Sequence, residues 1–111
     1  MSEYNTTRDD KPVLIAGDLN AEPCEPLLQL LTSSPHIPLH SSYHLTHTEF
    51  TSCKVRQGGR EVKLLDYILH SPELETVSTL DIPTETEIGP LLLPSPLFPS
   101  DHLSLAARIR L

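Results

Sequence analysis

The stretch Pro12-Val-Leu-Ile-Ala-Gly-Asp-Leu-Asn20 tells most about the architecture of this chain. Val13, Leu14, Ile15 and Ala16 run into Gly17 without a polar break, which predicts a strand buried on both faces in a sheet covered by other layers. Gly17 permits a sharp turn or close approach to a ligand. Asp18 and Asn20 then stand at the strand's carboxyl end, where open α/β sheets place their sites. Gly, Asp and Asn are also ordinary turn formers, and taken alone the stretch reads as a strand and a turn.

Before this strand, Met1 to Lys11 is polar and charged without periodicity. It reads as a flexible lead-in, or as the end of a preceding surface helix, so the domain is expected over 12–111. After the strand, Pro23 and Pro26 suit a helix start, where missing N–H groups cost nothing. Leu27, Leu28, Leu30 and Leu31 form an apolar stripe, predicting a helix from Cys24 or Glu25 to Ser33 that stops before Pro35.

Pro35 to Thr48 holds His36, His40, His44 and His47, which invites a metal reading. Their spacing would need a helix that Pro35 and Pro38 oppose, and no cysteine or acid completes a shell. A polar surface loop is expected instead.

Glu49 to Val55 reads as a strand, Gln57-Gly58-Gly59-Arg60 as a turn, and Glu61 to His70 as a second strand completing a hairpin. Asp66 lies in the middle of that apolar run. A carboxylate there is costly unless paired, and a histidine is a natural partner. Ser71-Pro72 breaks the strand, and Thr76 to Ile82 reads as another. Thr84 and Glu87 form a capping box on one helical turn, Thr84 to Ile88. Gly89 to Pro99, with Pro90, Pro94, Pro96 and Pro99, is an extended loop that delivers Ser100-Asp101-His102. Leu103 to Leu111 reads as the last strand. No internal repeat, GxGxxG or P-loop occurs.

Composition narrows the function classes. A length of 111 residues suits one small domain, and 38% hydrophobic residues can bury a core. A net charge of −7 argues against a freestanding nucleic-acid binder, which shows a basic face. Lys54, Arg56, Arg60 and Lys63 flank Gly58-Gly59 and read as a solvated hairpin. Cys24 and Cys53 match neither a zinc nor a CxxC pattern. Met1 to Asp10 shows no signal peptide, and the apolar runs are too short to span a bilayer. These features predict a soluble intracellular chain with reduced thiols and no membrane partner.

Gly-Asp-Leu-Asn, Leu-Asp-Tyr-Ile and Ser-Asp-His-Leu follow one another at residues 17–20, 65–68 and 100–103. In that order, with Ile88-Gly-Pro90 and Leu93-Pro-Ser95, they resemble the endonuclease/exonuclease/phosphatase superfamily. The similarity is nearest to its nocturnin-like members, in the branch of carbon-catabolite-repressor-type deadenylases.

The resemblance covers nearly all of the chain from Lys11 and implies an α/β (α+β) fold: the C-terminal half of a deoxyribonuclease-I-like four-layer β-sandwich flanked by helices. It implies Mg²⁺-dependent phosphoester hydrolysis by an in-line water, on a nucleotide substrate such as NADP or the 3′ end of RNA. By resemblance, Asp18 orients or deprotonates the water and Asn20 donates to a phosphoryl oxygen. His102 contacts the phosphate as an imidazolium, and Asp66 pairs with it. Asp101 sits beside the metal, and Leu19 and Asn20 contact substrate.

The resemblance also implies a missing N-terminal half that carries a metal-binding glutamate. Its absence would leave metal binding weak and sheet surface open to self-association. The alternative is a catalytically inactive chain acting as a binding module. Where relatives tend to carry an aromatic residue, this sequence has Cys53. Relatives of this branch work in cytoplasm and mitochondria, and the cytoplasm is the expectation.

Overall fold

A computed structural model describes residues 11–43 and 50–111. The expected lead-in before Lys11, together with His44, His47 and Glu49, lies outside the described residues. The elements in chain order are β1 (Leu14–Asp18), α1 (Pro26–Ser33), β2 (His40–Ser41), β3 (Ser52–Arg56), β4 (Gly59–Lys63), β5 (Asp66–His70), β6 (Glu75–Thr79), α2 (Glu85–Ile88) and β7 (Ala107–Arg110). The strands form three antiparallel groups, β1-β5-β2, β3-β4 and β6-β7. The fold is α/β, mostly sheet with few helices, and the described strands close no barrel.

β1 pairs with β5 in a register running from Leu14 opposite His70 to Asp18 opposite Asp66. At the Leu14 end, Ser71 clamps the pair: its hydroxyl accepts from the Val13 N–H at 2.8 Å and its N–H donates to the Val13 carbonyl at 2.9 Å. The expectation that β1 is buried on both faces does not hold. Ile15 packs on the core, but Leu14 is 54% exposed and Ala16 is exposed. Successive side chains point to opposite faces, and among the described residues no layer covers the Leu14 and Ala16 face.

The expected strand from Glu61 to His70 is two strands. β4 pairs with β3 across the Gln57-Gly58 turn, while β5 pairs with β1 and β2. Between them Leu64 turns into the core, 5% exposed. The Leu65 N–H leaves the ladder for the Thr51 hydroxyl at 3.0 Å, and its carbonyl accepts from the Leu19 N–H at 2.9 Å. The chain thus crosses from one sheet to the next, and Asp66 opens a strand instead of lying inside one.

α1 begins at Pro26, just after the expected start at Cys24 or Glu25, and ends where Ser34 turns extended before Pro35, as that proline predicts. Its Leu28 joins Ala21, Leu39, Leu64, Tyr67 and Leu69 in one core cluster. A second cluster holds Phe50, Cys53, Ile88, Leu92, Leu93 and Leu103. α2 carries the expected capping box: the Thr84 hydroxyl accepts from the Glu87 N–H at 3.2 Å, and the Glu87 carboxylate from the Thr84 N–H at 2.9 Å.

β6 and β7 are shorter than expected, with a bulge between Thr76 and Ser78. Beyond them the Tyr43 hydroxyl donates to the Leu80 carbonyl at 2.6 Å and accepts from the Ala106 N–H at 3.2 Å. Both cysteines are free thiols. Cys53 lies in the second cluster, where burial and then the Glu85 charge push its thiol pKa up. No helix among the described residues is long and apolar enough to cross a membrane.

Candidate active site

The register of β1 on β5 sets Asp18 directly across from Asp66. Facing carboxylates repel, so this end of the sheet needs a cationic or donor group between them. His102 supplies a donor. Its Nδ1 lies 2.6 Å from Asp66 Oδ2, so the ring N–H donates to the carboxylate. Its Nε2 lies 4.0 Å from Asp18 Oδ2, too far for a direct hydrogen bond. One water, accepting from the ring and donating to the carboxylate, can bridge such a gap. Asp66 and His102 are partly buried, whereas Asp18 is 50% exposed in its side chain and open to a ligand.

Local chemistry explains the turn that presents Asp18. Gly17 takes φ +145°, a backbone region other residues avoid, although a Cβ there would meet nothing within 4 Å. The constraint is therefore conformational and not steric crowding. Asp18 Oδ1 accepts from the Asn20 N–H at 2.7 Å, and Asn20 adopts a left-handed φ of 50° that Asn tolerates. Leu19 donates its N–H to Leu65 and packs its side chain against the first core cluster. Of the pair expected to meet substrate, Leu19 is thus drawn inward.

Asp101, expected beside a metal, has a different direct partner. Lys54 Nζ on β3 lies 2.9 Å from its Oδ2. That hydrogen bond, helped by the lysine and His102 charges, holds the Asp101 pKa below the ordinary carboxylate value. A depressed folded-state pKa gives a contribution present above the unfolded value and lost as pH falls through the folded one. Lys54→Met should therefore weaken the chain near neutral pH and make no difference in strong acid. Urea midpoints of both chains at each pH check this; an equal deficit at both would refute it.

The other basic residues of the β3-β4 hairpin face acids as well. Arg60 pairs with Glu85, and Arg56 and Lys63 each lie 3.9 Å from Glu61.

Two residues that position this site were not singled out from sequence, Thr51 and Tyr67. The Tyr67 hydroxyl, 2% exposed as a residue, donates to the Ala21 carbonyl at 2.6 Å and lies 3.1 Å from the Leu64 carbonyl. It ties the turn after Asp18 to the start of β5. A tyrosine beside Asp66 in an apolar run was the available signal, because a buried phenol seeks an acceptor.

Asp18, Asp66 and His102 each offer a ligand atom, all within 4.8 Å of one another, and could hold a metal ion. Two facing carboxylates are hard oxygen donors, and this set fits a hard divalent cation. Neither His36 nor His40 belongs to such a group among the described residues.

The model of the endonuclease/exonuclease/phosphatase family matches residues 3–102, a span that includes Asp18, Asn20, Asp66 and His102. The chain belongs to this family. Within it the chain is nocturnin-like. It is 41% identical over 101 residues to nocturnin of Xenopus laevis, covering 85% of this chain and 26% of that relative. To nocturnin of Mus musculus it is 41% identical over 109 residues, covering 91% of this chain and 25% of the relative. To nocturnin of Drosophila melanogaster it is 30% identical over 127 residues, covering 92% and 20%. The chain spans about a quarter of the length of the curated relatives it matches. The endonuclease/exonuclease/phosphatase fold thus brings together at one sheet end residues that lie 48 and 36 positions apart in the chain.

Proposed function

We propose that this end of the sheet belongs to a phosphoester hydrolase that uses Mg²⁺ and acts on a nucleotide. The observation that carries the reading is His102 lying between the facing carboxylates Asp18 and Asp66. Asp66 fixes the imidazole through Nδ1 and leaves Nε2 directed toward the Asp18 side. A phosphoryl oxygen there accepts from Nε2–H, while Asp18 Oδ2 orients the attacking water and takes its proton; as the water oxygen bonds phosphorus the ester P–O bond breaks, and the alkoxide leaves with a proton from solvent. Asn20, held by the Asp18 turn, offers its amide to a second phosphoryl oxygen. Asp18 and Asp66 are the carboxylates that would hold Mg²⁺, while Asp101 is engaged by Lys54. The ion would supply screening of the phosphate charge and stabilisation of the developing oxyanion.

A small nucleotide, with the 2′-phosphate of NADP as the model substrate, suits the electrostatics better than a long RNA. The net charge is −7, and the hairpin's basic side chains face Glu61, Glu85 and Asp101 instead of forming an open basic stripe. The test is phosphate release from NADP by the 111-residue chain with Mg²⁺, with and without a chelator. Release that the chelator abolishes is expected, at a low rate because the carboxylates present would hold the ion weakly. A folded chain that releases nothing would instead favour the inactive binding module.

A further inference from the structure

We infer that Thr51 is the positioning residue of the Asp66–His102 pair. Thr51 is 0% exposed and bonds at each of its polar groups. Its hydroxyl oxygen accepts from the Leu65 N–H at 3.0 Å and from the Asp66 N–H at 3.2 Å. Its carbonyl accepts from the Leu103 N–H at 2.8 Å, and its own N–H donates to Lys63 at 2.9 Å.

These contacts close a ring. It runs from the Thr51 hydroxyl to the Asp66 backbone, through Asp66 Oδ2 to His102 Nδ1, then along one peptide to Leu103 and back to the Thr51 carbonyl. Among the described residues no strand ladder performs this task. β5 pairs with β1 and β2, and His102 sits in irregular chain before β7. Asp66 and His102 are 36 residues apart, and the long loop after α2 lies between them. Each degree of freedom left in that loop shortens the time the imidazole spends on the carboxylate. Thr51 removes freedom on both sides at once.

A β-branched residue suits this position next to a strand, but valine would serve that need equally. What valine cannot do is accept from two N–H groups in a fully buried site. The hydroxyl's use is therefore to set where Asp66 begins β5, and with it the reach of the carboxylate toward His102. The inference rests on the proposed reading of this pair as the phosphate-facing element.

The test is the His102 Nδ1–H proton signal of the ¹⁵N-labelled 111-residue chain, with Asp66→Asn as the reference for a broken bond. In Thr51→Val the signal should move toward the Asp66→Asn position or vanish, and Thr51→Ser should restore it. A folded Thr51→Val chain that keeps the native signal would overturn the inference, even with a lowered denaturation midpoint, since Thr51 would then be merely structural.

If Thr51→Val does not fold, hydrogen exchange in the unaltered chain decides. Asp66 N–H, Leu103 N–H and His102 Nδ1–H opening together supports the ring, and separate openings refute it. None of these signals needs substrate. A chain that releases no phosphate yet loses its His102 signal in Thr51→Val would sink the proposed function alone.

Discussion

His102→Ala is expected to lower phosphate release from NADP by about 10²- to 10⁴-fold, the range that a positioned acid or base typically contributes. Among the described residues the imidazole is the group placed between the two carboxylates, 2.6 Å from Asp66 and 4.0 Å from Asp18. Removing it takes away the N–H proposed to meet a phosphoryl oxygen. It also leaves Asp18 and Asp66 facing each other without a donor between them. Stability should change far less than activity, because His102 lies in irregular chain outside both core clusters.

Asp66→Asn is the companion variant. It retains the imidazole but replaces its carboxylate partner with an amide and removes one of the two carboxylates proposed to hold Mg²⁺, so a loss of similar order is expected. Steady-state release, with circular dichroism to hold the fold constant, gives the result. A His102→Ala chain as active as the parent would remove the proposed mechanism.

Tyr67→Ala is the largest expected change in stability, about 3–5 kcal/mol, the usual cost of truncating a buried aromatic residue. The ring sits at the centre of the first core cluster, and its hydroxyl closes the turn that carries Asp18. Tyr67→Phe separates these two parts. It keeps the ring and strands the Ala21 carbonyl, at about 1–3 kcal/mol for a buried polar group left unsatisfied.

Alkaline pH offers an independent check. Burial, then the Glu22 and Glu25 charges, push the Tyr67 phenol well above its ordinary pKa. A raised folded-state pKa gives a contribution fully present below the unfolded value of about 10, lost as pH rises through the folded one. The parent chain should therefore lose stability above that point, and Tyr67→Phe should lose less. Urea midpoints at neutral and alkaline pH would show it; identical alkaline slopes would mean that the phenol is not held as described.

Elements that depend on neighbours in sequence were readable directly. α1 follows from Pro26, the leucine stripe and Pro35, and the α2 cap from Thr84 and Glu87. The hairpin turn at Gln57-Gly58 likewise lies where glycine predicts it. In each, the deciding interactions span four residues or fewer, so propensity and spacing carry them. The order of the three polar motifs was also enough to indicate the family that the comparison shows.

Other features required the folded chain. Glu61 to His70 looked like one strand, because Leu64-Leu65 is as apolar as its neighbours; only the Thr51 hydroxyl and Leu19 reveal the crossing between sheets. The apolar run at Val13 to Ala16 implied two buried faces, yet exposure depends on what lies opposite, which composition does not encode. Asp101's attachment to Lys54 joins residues 47 positions apart, and spacing cannot reveal such a bond. Hydrophobic pattern and turn chemistry act locally and are therefore written along the chain. The meeting of Asp18, Asp66 and His102 rests on register and on buried hydrogen bonds from Thr51 and Tyr67, and only the packed structure determines those.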